Sequence, residues 1–68
     1  MRSRLKRERQ LAGFTQAEIA EKLGVSQQTI SKYESEVITP GQFKTIRAFE
    51  QLFGVQAEEL FPDVFLNS

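Results

Sequence analysis

Four polar side chains at positions that share one side of a short helix carry the chemistry of this sequence. Gln27 and Gln28 open the stretch, and Ser31 and Lys32 follow one helical turn later. A glutamine amide donates and accepts hydrogen bonds at once, so it can match the N6 and N7 atoms of adenine in the major groove of DNA. The other interpretation, on residue types alone, is the solvent-facing side of an amphipathic helix.

The residues around this stretch predict two helices joined by a tight turn. Thr15 and Glu18 have the spacing of a capping box at the start of the first helix. Gly24 is suited to the left-handed backbone that follows a helix end, and Ser26 is a candidate N-cap for the second helix. The residues expected to face inward are Ile19, Ala20, Leu23, Val25, Ile30 and Tyr33.

This ordered set resembles the helix-turn-helix of the phage repressor and Cro family of bacterial DNA-binding regulators. The resemblance covers about residues 3–60 and is greatest for the lambdoid phage repressors, which carry a Gln-Gln pair at the same place. It implies an all-α, compact five-helix, lambda-repressor-like domain over residues 1–68, with the motif at about 16–35. The implied function is sequence-specific binding of double-stranded DNA by a transcriptional regulator, a repressor that acts by occupying its operator.

The resemblance also assigns roles to single residues. It favours base contact for Gln27 and Gln28, and leaves both interpretations open for Ser31 and Lys32. Gln16 resembles a residue that binds a phosphate and braces the first base-reading side chain. Arg9 and Glu34 match an ion pair that holds the recognition helix against the first helix of the domain.

Phosphate contacts are expected from two further segments. Residues 1–9 contain five of the nine Lys and Arg residues, and we predict phosphate contact for Arg2 and Arg4, although a solvated helix face is the alternative. After the motif, the expected phosphate contacts are Thr39, Gln42 and Lys44. Many family members have glycine followed by lysine where this chain has Glu36 and Val37. Either Glu36 points away from phosphate or this part of the contact is weaker.

The C-terminal third is apolar and acidic. Five residues at helical spacing predict a fourth helix with a core face, and a short fifth helix is expected to stop at Pro62. The apolar tail, residues 62–68, either folds back onto the core or forms a two-fold interface, and we favour a homodimer, at least on DNA. The core residues predicted for the fourth helix are Phe43, Ile46, Phe49, Leu52 and Phe53, and the predicted dimer contacts are Phe61, Val64, Phe65 and Leu66.

Composition restricts the remaining function classes. The net charge is zero, but residues 1–47 hold all nine basic residues against five acidic ones, whereas residues 48–68 hold four acidic residues and no basic ones. The absence of Cys and His disfavours an enzyme, a cofactor site or a metal site.

No apolar run is long enough to span a membrane, so we expect a cytoplasmic protein, bacterial or phage-encoded. An antitoxin-like interaction module, with a protein partner at the C-terminal tail, is the alternative function.

Overall fold

The computed structural model describes residues 2–65, which form six helices and no strand. The all-α prediction is therefore confirmed, with one helix more than expected. Pro62 does not simply stop the fifth helix but begins a sixth, because proline suits a first helical position whose N–H needs no partner. The helices are α1 (Ser3–Leu11), α2 (Gln16–Leu23), α3 (Gln27–Glu34), α4 (Phe43–Phe53), α5 (Ala57–Leu60) and α6 (Pro62–Phe65).

Local hydrogen bonds fix the ends of α2 and the start of α3. Thr15 Oγ1 accepts from the Glu18 N–H at 3.1 Å, and Glu18 Oε1 accepts from the Thr15 N–H at 2.8 Å, which completes the predicted capping box. Gly24 follows α2 with a φ of 71°, in the left-handed region that favours glycine. Ser26 Oγ then accepts from the Thr29 N–H at 3.1 Å. The turn between α2 and α3 is thus built by the residues that the sequence pattern identified.

Phe49 of α4 lies at the centre of the core. Its side chain is 1% exposed, and its ring centroid lies 6.2 Å from that of Tyr33, 6.0 Å from that of Phe53 and 5.6 Å from that of Phe61. Offset and edge-to-face ring pairs at such distances are favourable. Because Tyr33 is on the inner side of α3, this packing turns the polar side of α3 outward. The buried apolar residues are Leu5, Ile19, Ala20, Ile30, Tyr33, Ile46, Phe49, Ala57, Leu60 and Phe61.

The aromatic residues near the C-terminus differ from expectation. Phe61 is fully buried in the core, so its prediction as a dimer contact is wrong. Val64 and Phe65 are half-buried against the core, so α6 folds back onto the core, which is one of the two arrangements considered for the tail. Phe43 was expected in the core but is 62% exposed, and its ring centroid lies 6.1 Å from that of Phe65. The predicted contact by Leu66 lies outside the described residues.

The helices are short. The longest in residues 2–65 is α4, with 11 residues, and none in this range has the length and apolar character needed to cross a membrane. Over the same range, no cluster of three or more His, Cys, Asp or Glu side chains is placed to hold a metal ion.

Candidate nucleic-acid interface

The outer side of α3 is polar and open to solvent. Gln27, Gln28, Ser31 and Lys32 are all exposed, whereas Ile30 on the inner side is 1% exposed. No segment in residues 2–65 covers the two amides. The helix therefore presents a continuous surface of hydrogen-bonding side chains, with the two glutamines in its first turn.

A buried polar network holds α3 in place. Arg9 Nε donates to Glu34 Oε2 at 2.6 Å and Arg9 Nη2 donates to Glu34 Oε1 at 3.3 Å, with side-chain exposures of 9% and 6%. Arg9 Nη1 also donates to the Phe14 carbonyl at 2.8 Å, and Gln16 Nε2 donates to Glu34 Oε1 at 3.0 Å. The network ties the last residue of α3 to α1 and to the start of α2. Gln16 thus bonds Glu34, whereas its bracing of a base-reading side chain stays a prediction. Its second amide hydrogen is left for another acceptor.

Arg2 was predicted to contact phosphate, and the structure shows that this is wrong. Its residue is 1% exposed, and all five of its N–H donors are used within the protein. Two go to the Asp63 carboxylate at 3.0 and 2.7 Å, two to the Tyr33 and Ile38 carbonyls at 2.9 and 2.6 Å, and one to Thr39 Oγ1 at 2.6 Å. No donor is left for a phosphate oxygen.

Arg4 is also engaged by carboxylates. Its Nη1 donates to Glu59 Oε1 at 2.6 Å and its Nε donates to Glu8 Oε2 at 3.3 Å, although the side chain is 39% exposed. Glu59 belongs to α5, within residues 48–68, which hold four acidic and no basic residues. Arg4 is therefore directed toward the acidic part of the protein, which repels phosphate. The structure therefore argues against the predicted phosphate contact by Arg4.

Lys6 is a candidate phosphate contact that was not among those predicted from the sequence. It is exposed on α1 and lines a surface hollow of about 220 Å³ together with Gln16, Ser31, Glu34 and Ser35. Within a run of five basic residues, nothing in its type distinguishes Lys6 from its neighbours. Its position distinguishes it, because Lys6 lies three residues before Arg9 and so shares the side of α1 that faces α3.

The segment between α3 and α4, together with the first turn of α4, carries the other predicted phosphate contacts. Thr39, Gln42 and Lys44 are all exposed, and Gln42 is the N-cap residue of α4. Thr39 Oγ1 accepts from Arg2, which leaves its hydroxyl hydrogen for another acceptor. Glu36 has a φ of 65°, a left-handed conformation that costs an L-residue roughly 1–2 kcal/mol. Glycine, which the resemblance implies at this position, would adopt the same conformation without that cost.

The ion pair between Arg2 and Asp63 makes stability depend on pH. Hydrogen bonds from Arg2 lower the pKa of Asp63, against the opposing effect of burial. The carboxylate therefore stabilises the fold above the ordinary aspartate pKa of about 4, and this contribution is lost as the pH falls through the lowered pKa of the folded state. We expect urea unfolding between pH 3 and 7 to show a smaller loss of stability on acidification in Asp63→Asn than in the unchanged protein. Equal losses in the two proteins would contradict this assignment.

Comparison with known proteins agrees with this architecture. A helix-turn-helix family model matches residues 5–60, which include α1 to α5 except for the first two residues of α1. An uncharacterized HTH-type transcriptional regulator of Methanocaldococcus jannaschii is 39% identical over 61 residues, which cover 90% of this chain and 91% of the relative. No solved structure gives a significant match. With the capped turn between α2 and α3 and the exposed polar side of α3, these matches show that the chain belongs to the helix-turn-helix family.

Proposed function

We propose that this chain is a sequence-specific DNA-binding transcription regulator that represses by occupying its operator. The observation that carries the proposal is the polar side of α3, whose exposed amides of Gln27 and Gln28 stand on a helix held by the buried Arg9 and Glu34 pair. A rigid helix with polar side chains in its first turn fits the major groove and can match adenine edges. The family match and the regulator named as its relative support the same role.

In this proposal, phosphate contacts flank the base-reading helix. Lys6 and Gln16 lie beside α3 in one surface hollow, and Thr39, Gln42 and Lys44 follow α3 along the chain. Ser31 and Lys32 lie one turn beyond the glutamines and extend the contact to neighbouring bases or phosphates. Occupancy alone prevents another protein from using the same DNA, so repression needs no surface beyond this one.

The experiment that tests this function is selection of duplexes from a random pool by the purified protein. We expect recovery of a common sequence in which two half-sites are centred about 10 base pairs apart. Recovery of duplexes with no shared sequence would contradict specific binding, and recovery of none would contradict DNA binding altogether.

We further propose that the DNA-bound form is a homodimer whose contact surface differs from the one expected at Phe61. Val37 and Phe43 are 67% and 62% exposed, Ile38 is 39% exposed, and Phe65 lies against Phe43. Exposed apolar groups of this kind commonly mark interfaces. The occupant is a second copy of this chain, because three of these apolar residues lie in residues 37–44, which also hold the proposed phosphate contacts after α3, and a two-fold contact there would align both copies on one duplex.

Sedimentation tests the dimer. Phe43→Ser should weaken self-association several-fold, because it removes the largest exposed apolar side chain of the surface. Leu11→Ser is the matched control, since Leu11 is 74% exposed and lies at the end of another element, α1. A single protomer on a selected duplex that contains both half-sites would rule out the homodimer, whereas a free protein that stays monomeric at high micromolar concentration would rule out only a stable dimer off DNA. Equal effects of the two substitutions would rule out this surface.

A further inference from the structure

Arg2 joins four separate parts of the fold through one side chain. It is the N-cap residue of α1, it bonds the Tyr33 carbonyl in α3 and the Ile38 carbonyl in the segment after α3, and it forms a bidentate pair with Asp63 of α6. Its guanidinium carbon also lies 5.1 Å from the centre of the Phe61 ring. A buried guanidinium with every donor satisfied indicates a specific structural role, since an unmatched charge at this depth is costly.

The contacts made by Arg2 determine how the chain leaves α3. The Tyr33 carbonyl belongs to the last turn of α3, where a positive charge is favoured by the helix dipole. The Ile38 carbonyl and Thr39 Oγ1 belong to residues 35–42, which we call the α3–α4 loop. Arg2 thus holds two consecutive residues of this loop against α3, just before the proposed phosphate contacts Gln42 and Lys44.

We propose that Arg2 and Asp63 position the α3–α4 loop for contact with the DNA backbone, so that α6 controls DNA affinity without touching DNA. This inference rests on the proposed function, because it assigns a source of affinity to the same surface. Asp63 aligns the guanidinium through two hydrogen bonds, and the guanidinium aligns the loop. Arg2 and Asp63 are therefore positioning residues, and the loop is the element that they position.

The substitution Asp63→Asn separates this role from simple electrostatics, because the two predict changes in DNA affinity of opposite sign. Removal of an acidic charge should by itself strengthen binding to a polyanion. Loss of loop positioning should weaken binding instead. Glu58→Gln is the matched control, since Glu58 is an exposed acid on the neighbouring α5. We expect Asp63→Asn to bind roughly tenfold more weakly than the unchanged protein, the loss expected from one charged hydrogen bond, and Glu58→Gln to bind as well or slightly better.

The experiment is a titration of a labelled duplex, recovered by the selection described above, with each variant at one salt concentration. The two substitutions Lys44→Ala and Lys6→Ala are combined in turn with Asp63→Asn. Lys44 follows the loop, whereas Lys6 lies on α1. If Asp63 acts through the loop, its effect shrinks in the Lys44→Ala background and persists in the Lys6→Ala background. A merely structural role would give the same effect in both backgrounds.

Circular dichroism and thermal melting establish that each variant is folded under the titration conditions. If Asp63→Asn melts near the assay temperature, Asp63→Glu replaces it, because it keeps the charge and changes only the reach of the carboxylate. The same weakening is then expected. Binding by the folded variant that equals or exceeds that of the unchanged protein would overturn the inference, as would equal effects in the two lysine backgrounds. Failure of the proposed function is distinguishable, because the unchanged protein would then recover no duplex with a shared sequence.

Discussion

Exchange of Glu34 for glutamine should lower the free energy of unfolding by about 3–5 kcal/mol, the usual cost of removing one partner from a buried ion pair. The Glu34 side chain is 6% exposed and accepts hydrogen bonds from Arg9 and Gln16. Glutamine has the same shape but no charge, so the Arg9 guanidinium would stay buried without a counterion. A domain of 68 residues has a total stability of about 3–10 kcal/mol, so this loss is a large fraction of the total.

Urea unfolding followed by circular dichroism measures this loss. Glu58→Gln makes the same chemical change at an exposed position and should alter stability by less than about 0.5 kcal/mol. The double variant Arg9→Met with Glu34→Leu should recover part of the stability, because apolar side chains of similar volume need no counterion. A loss below about 1 kcal/mol in Glu34→Gln would show that the pair does not hold α3 in place.

The affinity for DNA should fall about 1,000-fold between 50 and 200 mM salt, as expected for roughly six phosphate contacts. Three exposed lysines that we propose contact DNA, Lys6, Lys32 and Lys44, give this estimate when two protomers bind one duplex. Two of the nine basic residues, Arg2 and Arg9, are excluded because they are buried in ion pairs within the protein. Net charge alone would have predicted almost no salt dependence, since the chain is neutral overall.

Titration of one duplex over a series of salt concentrations gives the slope of log affinity against log salt. Lys44→Ala should reduce the slope by about one for each protomer, and Arg4→Ala should leave it unchanged. Arg4 is the control because its guanidinium is held by Glu8 and Glu59. A slope near zero in the unchanged protein would contradict phosphate contact, and a reduced slope in Arg4→Ala would restore Arg4 to the interface.

The parts of the fold that depend on neighbours in sequence were predictable. Thr15 and Glu18, which cap the start of α2, lie three residues apart, and Gly24 ends α2 through its own left-handed backbone. Both ends of α2 could therefore be predicted from residue types close in sequence. The proximity of Arg9 and Glu34 follows from the family resemblance rather than from local pattern, because 25 residues separate them.

The role of Arg2 could not be predicted in the same way. Its partner Asp63 lies 61 residues away, and in sequence Arg2 looks like Arg4, a second arginine in the same basic run. Helical spacing identified the apolar side of α4, but it could not show which residues on that side are buried by other helices. Phe43 is the first residue of α4 and extends beyond the core, whereas Phe61, next to a proline near the chain end, is fully buried.

Selection from a random duplex pool with Gln28→Ala tests whether the amide of Gln28 reads a base from the exposed side of α3. Gln51→Ala, an equivalent change at an exposed position of α4, is the control. We predict that Gln28→Ala loses preference at one position in each half-site, at a cost of about 1–3 kcal/mol, while Gln51→Ala recovers the same sequence as the unchanged protein. Recovery of the unchanged sequence by Gln28→Ala, with preference intact at every position, would contradict base reading by Gln28.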